Sequence, residues 1–273
     1  MADQIPEFGK SSCTSALSAF APGGGARSRA ELVGIIVTAV IVIGGMELAL
    51  IRSKVPEYFL PRPSQILAAL IREFPLLAPH LGYTLIELFS GFAIGATVGL
   101  VLAAVITQFP YAEKIISPYI LILVTTPMLA LVPLLILWFG FGFTPRIIAV
   151  ALASGPMVMI NAATGFRRVD AAKIALARSY GATTLQIFWK IRAPMALPVI
   201  LVGLMIGAIF GLLTAVGAEM VGGGFGLGNR LTTYSSMINM PEFFSVIVML
   251  STLGILIYAF FFLVGKKWAS WEA

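Results

Sequence analysis

The chain has 273 residues, of which 59% are hydrophobic and 11% are charged, and its formal net charge is +6. Soluble domains usually carry about 25% charged residues, so a chain this apolar could not cover its own surface in water, and lipid is its expected solvent. The single cysteine, Cys13, excludes an intramolecular disulfide framework and any multi-cysteine metal site.

Six segments are apolar enough to cross a bilayer, which takes about 20 residues in a helix. Residues 1–30, rich in Ser, Gly and Ala, precede them and are predicted to form a disordered cytoplasmic tail. Pro127 and Pro133 fall inside the third segment, which we expect them to bend or break. In chain order the predicted spans are Leu32–Ile51, Leu85–Ile106, Tyr119–Trp138, Ile147–Thr164, Val199–Val221 and Phe244–Val264. The sequence therefore predicts an all-α integral membrane protein with its transmembrane domain over 31–268.

The positive charges predict the orientation of these spans, because cytoplasmic loops are enriched in Lys and Arg. With both termini in the cytoplasm, twelve of the 18 Lys and Arg residues lie inside and six lie outside. The positive net charge then reflects membrane topology rather than binding of nucleic acid. The six outside residues are Arg52, Lys54, Arg62, Arg72, Arg146 and Arg230.

A basic, partly polar insert separates the fourth and fifth predicted spans. Asp170 is placed to cap a short helix that Gly181 can end in a left-handed turn. Thr183 and Gln186 have the spacing of a capping box, which predicts a second helix, and we expect Pro194 to stop it. We expect the two helices to present the side chains of Tyr180, Leu185, Phe188 and Trp189. Two interpretations remain open at this point: a segment lying in the lipid headgroups, or an element on which another protein docks.

The run from Ala175 to Pro194 resembles the EAA signature of ABC importer permeases. That signature reads Glu-Ala-Ala, three residues, Gly, nine residues, then Ile-x-Leu-Pro. Ala177, Gly181, Ile191 and Pro194 match it, whereas Ala175 replaces the glutamate, Leu176 the first alanine and Ala193 the leucine.

Three further stretches, in the same order, resemble permeases of the nitrate/sulfonate/taurine type. They are "FLPRPSQILAAL" (59–70), "TTPMLALVPLLILWFGFG" (125–142) and "GLGNRL" (226–231). The resemblance implies the type I ABC importer permease fold, with six transmembrane helices and a cytoplasmic coupling helix over 170–194 that sits in a groove of the ATPase subunit. By this resemblance the coupling residues are Arg178, Tyr180, Gly181, Leu185, Phe188, Ile191 and Pro194.

The resemblance also implies partners and a location. We expect two copies of an ABC ATPase subunit, an extracytoplasmic substrate-binding protein, lipid, and a second copy of this chain in a homodimer, with a closely related permease as the alternative. Neither Gly-Lys pair, Gly9-Lys10 or Gly265-Lys266, has the glycine five residues earlier that a phosphate-binding loop requires, so we expect no ATPase site and no cofactor in this chain. ATP and Mg²⁺ would bind the partner ATPase. The location implied is the bacterial inner membrane.

Residues that could line the pathway lie mainly in the third span, because a broken helix frees backbone groups that are tolerated beside a cavity. The candidates are Thr125, Thr126, Pro127, Pro133 and, in the fifth span, Glu219. Arg146 precedes the fourth span, and two interpretations of it are equally open: it could anchor the helix at the outer membrane surface, or it could attract anions. Small residues recurring every four positions predict close helix packing, within one subunit or between subunits, at Gly91, Gly95, Gly99, Gly203, Gly207 and Gly211.

The solute expected from the resemblance is a small anion such as a sulfonate, taurine, nitrate or bicarbonate. A nitrogen heterocycle or vitamin precursor is the alternative. Two other classes are weighed against an ABC importer. A secondary transporter or channel usually carries internal repeats and membrane-embedded charge. An intramembrane metalloenzyme or serine–histidine enzyme is disfavoured, because the sequence has a single histidine, His80, and no cysteine cluster to build such a site.

Overall fold

The structure, a computed structural model, describes residues 29–53 and 55–268, without the side chains at positions 29–32, 36 and 268. The described residues form ten α-helices and one π-helical turn, and they include no strand. The disordered tail predicted over 1–30 lies outside the described residues except for Arg29 and Ala30, which begin the first helix, and Cys13 is outside them as well.

The chain divides into two compact units, residues 1–55 with 271–273, and residues 56–270. The described part of the first unit is helix α1, Arg29–Ser53, which is apolar and long enough to cross a membrane over Val33–Ser53. The predicted first span is therefore confirmed. Nearly all of its described side chains are exposed, as a helix solvated by lipid requires.

The second unit contains the other nine helices of the described chain. Their bounds are α2 Pro63–Gln108, α3 Pro110–Thr125, α4 Met128–Phe139, α5 Phe143–Arg167, α6 Ala171–Ser179, α7 Thr184–Ile187, α8 Ala193–Gly222, α9 Leu227–Ser236 and α10 Met240–Trp268, with the π-helical turn Phe188–Arg192 before α8. Helices α2, α5, α8 and α10 each contain a segment long and apolar enough to span a membrane.

Helix α2 is much longer than the span predicted over Leu85–Ile106. It begins at Pro63 and includes Pro75 and Pro79 without a break. Proline lacks an N–H group and usually kinks a helix, but neighbouring helices can accommodate it within a membrane bundle. The twenty-odd residues before the predicted span therefore extend the same helix rather than forming a separate loop.

The third predicted span is broken, as its prolines indicate. Helices α3 and α4 meet at an angle of 96° around Thr126 and Pro127. Pro133, by contrast, lies inside α4 and does not interrupt it. The described chain has five helices that could each cross a membrane, and a sixth span if the bent pair counts as one, so the predicted number of six agrees with that reading.

Helix α5 lies at the centre of the second unit, and both glycine rows pack against it. A Cβ on Gly91 or Gly95 would collide with Val150 or with the backbone oxygen of Ala151, both on α5. On α8, a Cβ on Gly207 would lie 2.7 Å from Val158 Cγ2 of α5. The glycine rows therefore let α2 and α8 approach α5 from two sides within one subunit. A Cβ on Gly99 or Gly203 would likewise collide with α5, and a Cβ on Gly211 would lie 3.3 Å from Val150 Cγ1.

Candidate functional site: the insert between α5 and α8 and a buried polar cluster

The first half of the insert folds as its capping residues predict. Asp170 Oδ1 accepts a hydrogen bond from the N–H of Ala172 at 2.9 Å and starts α6. The helix ends at Ser179, and Gly181 follows it with a φ of 78°, the left-handed conformation that favours glycine. The Ala182 N–H donates to the Ala177 carbonyl at 3.1 Å and closes the turn. The predicted cap and bend are confirmed.

The second half begins with the predicted capping box. The Gln186 N–H donates to Thr183 Oγ1 at 3.3 Å, and the Thr183 N–H donates to Gln186 Oε1 at 2.9 Å. The helix then widens into the π-helical turn, where the Ala193 N–H donates to the Phe188 carbonyl. Pro194 follows in the first turn of α8, where its missing N–H needs no partner within the helix. The prediction that Pro194 stops the helix was wrong, because the π turn carries the chain directly into α8.

The insert has one exposed face and one buried face. Tyr180 is 82% exposed, Leu185 67% and Trp189 65%, so these three side chains project from the protein. Phe188 was predicted to join them, but it is buried. Its ring lies 5.1 Å from the ring of Phe166 on α5 and belongs to the hydrophobic core where α2, α5 and α8 meet. The continuous path from α7 into α8 turns this position inward.

The other predicted coupling residues surround the exposed face. Gly181, Lys190 and Ile191 line a shallow depression together with Tyr180 and Ala182. The exposed cations of the insert and its border are Arg167, Arg168, Lys173, Arg178 and Lys190. This face thus combines aromatic and aliphatic side chains with positive charge, a composition that fits an acidic and apolar groove on a protein.

A buried polar cluster lies at the opposite end of α5. Arg146 exposes only 2% of its side chain and donates from Nη1 to Glu87 Oε1 of α2 at 2.9 Å. Its guanidinium also donates to the carbonyl oxygens of Gly223 and Phe225, and it lies 4.3 Å above the Phe225 ring. Both readings of Arg146, as an outer anchor or an attractor for anions, were wrong, because its charge is buried and paired inside the protein.

Glu219 of α8 belongs to the same cluster and is fully buried. Its Oε1 accepts from Thr84 Oγ1 and its Oε2 from the Gly228 N–H, both at 2.6 Å. Gly226 has a φ of 97°, and a Cβ there would collide with the Glu219 carboxyl group, so glycine is required for this approach. The cluster therefore holds the loop between α8 and α9 against α2 and α5.

The remaining pathway candidates lie at the break between α3 and α4. The hydroxyl groups of Thr125 and Thr126 donate to the carbonyl oxygen of Ile122 at 3.1 and 2.7 Å. Thr125, Pro127 and Pro133 are exposed. Their part in a pathway stays a prediction, as does that of Glu219, which lies in the buried cluster.

Sequence reasoning missed Glu87 and Thr84, which complete that cluster. The signal for Glu87 was available, since a carboxyl group within a predicted span marks a functional or structural site. Thr84 gave no such signal, because a threonine in an apolar helix usually bonds its own backbone.

Outside the spans, a polar contact joins α9 to α2. The Tyr234 hydroxyl donates to Glu73 Oε2 at 3.2 Å, and Arg72 bridges Glu73 and Glu242 at the start of α10. Burial raises the pKa of the Tyr234 phenol, and the adjacent Glu73 carboxylate raises it further. Tyr234 therefore stays protonated and able to donate at neutral pH.

Comparison with known proteins decides the family. The family described as "Binding-protein-dependent transport system inner membrane component" matches residues 95–270, more than half of the chain. The chain belongs to this family. It is the membrane permease component of an ABC importer, a multi-pass protein of the inner membrane that works with a substrate-binding protein and an ATPase.

Curated relatives of this permease extend the match along the chain. It is 30% identical over 247 residues to the putative aliphatic sulfonates transport permease protein SsuC of Bacillus subtilis, covering 88% of this chain and 87% of the relative. The taurine transport system permease protein TauC of Escherichia coli is 34% identical over 62% of this chain and 64% of its own length. The riboflavin transport system permease protein RibX of Chloroflexus aurantiacus is 26% identical over 88% and 91%.

A solved structure supports the fold of the permease. An inward-facing conformation of the MetNI methionine ABC transporter superposes with a TM-score of 0.65 at 20% identity, covering 72% of this chain and 97% of that one. The type I ABC importer permease fold predicted from the sequence is thereby confirmed.

Proposed function

We propose that this permease moves a small organic anion into the cytoplasm and that its insert is the docking element for a separate ATPase. The observation that carries the proposal is the two-faced insert: Tyr180, Leu185 and Trp189 project outward, whereas Phe188 is anchored in the core. The ATPase would bind and hydrolyse ATP with Mg²⁺, since this chain resembles permeases without a nucleotide site. Two ATPase copies would bind a homodimer of the permease. Both termini of each permease chain would lie in the cytoplasm.

The anchored face explains how force would pass from the ATPase to the membrane helices. Packed interfaces switch between discrete arrangements instead of deforming continuously. Phe188 contacts Phe166 of α5, and α7 continues through the π turn into α8. A displacement of the exposed face therefore moves α5 and α8 together.

The composition of the exposed face favours a protein over lipid as its partner. A helix lying in the headgroups turns a continuous apolar face toward the acyl chains. In the insert the apolar residues Ile187 and Phe188 face the protein, and the exposed aromatic and aliphatic residues alternate with Arg178 and Lys190. Such a mixed surface suits a groove lined by both apolar and acidic side chains.

The docking proposal is tested by reconstituting the permease with its ATPase and binding protein. We expect Tyr180→Ala to weaken recovery of the ATPase with the permease and to lower ATP-dependent uptake. Tyr111→Ala is the matched control, because Tyr111 is also 82% exposed but lies on α3, outside the insert. Equal ATPase recovery for both variants contradicts the docking proposal. Uptake driven by an ion gradient, with the permease alone, would instead favour a secondary transporter.

The solute class rests on the relatives, two of which are named for taurine and aliphatic sulfonates. Relatives named for riboflavin and formylaminopyrimidine support a nitrogen heterocycle as the second candidate. Because Arg146 is paired with Glu87, its charge does not attract the anion, and selection would fall to the binding protein and to uncharged groups such as Thr125 and Thr126. The test is competition for uptake in the reconstituted complex: sulfonates should compete, and competition by heterocycles alone would reverse the assignment.

A further inference from the structure

The polar cluster contains two buried carboxyl groups and one guanidinium, which is bonded to Glu87. Glu87 and Glu219 have no exposed surface, and Arg146 is almost as deeply buried. Within the described chain, the salt bridges bring no second cation to either carboxyl group. With both groups ionised, the cluster would hold one uncompensated negative charge away from water, which is strongly unfavourable.

The hydrogen bonds indicate which oxygen is left without a donor. Both oxygens of Glu219 accept, one from Thr84 and the other from the Gly228 N–H, so this group is solvated as a carboxylate. Glu87 Oε1 accepts from Arg146, but Glu87 Oε2 is buried and has no hydrogen-bond partner among the described residues. The negative charges of the two carboxylates would also repel each other. A proton on Glu87 Oε2 would turn that oxygen into an O–H donor and remove the excess charge.

The other charged groups near the cluster are already engaged. Arg230 of α9 contacts the His80 ring of α2 at 2.8 Å, and His80 also accepts from the Gly226 N–H at 3.1 Å. From α5 only Arg146 reaches the carboxyl pair, and from α8 only Glu219 itself does so. Among the described residues of these four elements, Arg146 therefore balances one of the two negative charges and no neighbour balances the second.

We propose that Glu87 and Glu219 form a binding site for one proton, held on Glu87 Oε2 at neutral pH. The proton makes the group of two carboxyls and one guanidinium neutral. Arg146 and Glu219 hold the loop between α8 and α9 through Gly223, Phe225 and Gly228, so this proton stabilises the loop as well. Its loss in alkaline solution leaves a buried negative charge and loosens that attachment.

Infrared spectroscopy of the purified complex tests the proposal directly. At neutral pH we expect the carbonyl stretch of a protonated carboxylic acid. Both Glu87→Gln and Glu219→Gln should abolish it, because each leaves one carboxylate facing one guanidinium. Glu113→Gln, which alters a partly exposed ion pair with Arg167, is the matched control and should keep the band. A wild-type spectrum without the band overturns the proposal, and so does a band that survives in either buried variant.

Thermal unfolding supplies the second measurement. The native cluster binds a proton that the unfolded chain releases at neutral pH, so wild-type stability should fall as the pH rises through the range where the cluster deprotonates. Glu87→Gln and Glu219→Gln should each flatten this dependence, and Glu113→Gln should retain it. Because glutamine has the shape of the protonated acid, a Glu87→Gln protein that fails to fold also overturns the proposal.

Discussion

The ring of Phe188 lies against the ring of Phe166, with their centroids 5.1 Å apart, and this contact joins the insert to the end of α5. Phe188 is 8% exposed, whereas the adjacent Trp189 is 65% exposed. Neighbouring aromatic residues therefore have different tasks: one fixes the insert to the membrane helices, and the other is available to a partner.

Phe188→Ala should both destabilise the permease and uncouple it. Removing a buried phenylalanine leaves a cavity and typically costs about 3–5 kcal/mol of unfolding free energy. We expect a lower Tm of the purified permease and lower ATPase activity coupled to transport. Trp189→Ala is the control for stability, since exposed substitutions usually change it by about 0.5 kcal/mol or less. Assembly and coupled ATPase activity that survive Phe188→Ala contradict the anchoring role.

Gly95→Ala tests the close approach of α2 and α5. A Cβ at this position would meet Ser154 Oγ and the Ala151 backbone, so one helix must move. Overpacking of this kind typically costs about 1–3 kcal/mol. Gly82→Ala is the matched control on the same helix, because a Cβ there meets nothing within 4 Å. We expect the Tm to fall for Gly95→Ala and to stay unchanged or rise for Gly82→Ala; equal effects would place the tight contact elsewhere.

Arg146→Met should be far more damaging than Arg72→Met. The first leaves Glu87 and two loop carbonyls without their donor and removes the positive charge of the cluster, and the loss of one partner from a buried charged group of this kind typically costs about 3–5 kcal/mol. Arg72 is 65% exposed and its ion pairs are in contact with solvent, so its loss should leave the Tm nearly unchanged. The measurement is thermal unfolding of both purified variants, and a similar Tm for the two would show that Arg146 is not structurally required.

Ala175→Glu should partly rescue Tyr180→Ala. Ala175 occupies the position of the signature glutamate in the resembling permeases, and its side chain is exposed on α6. If Tyr180 replaces the glutamate in holding the ATPase, restoring the acid should recover ATPase binding in the double variant. Ala175→Gln is the uncharged control. Co-purification of the ATPase with the permease is the measurement. If glutamate at position 175 restores no more ATPase binding than glutamine, Tyr180 does not replace the signature glutamate.

Local chemistry was enough to predict several features of the insert. Asp170 caps α6, Gly181 adopts a left-handed turn, and Thr183 with Gln186 forms a capping box. Each depends on residues within a few positions of one another, so spacing alone identifies it. The chemistry of proline also predicted the break at Pro127, although Pro133 lies inside α4 without interrupting it.

The sequence by itself also determined that the chain is a membrane protein with its predicted spans, because apolar length is a property of each segment alone. Only the tertiary structure decided that Phe188 points inward, that the chain continues through Pro194, and that Arg146 is paired with Glu87, 59 positions away along the chain. These outcomes depend on which surfaces meet when distant helices pack. A buried charge or ring is stabilised by the partners that packing brings to it, and the spacing of residues along one segment does not specify those partners.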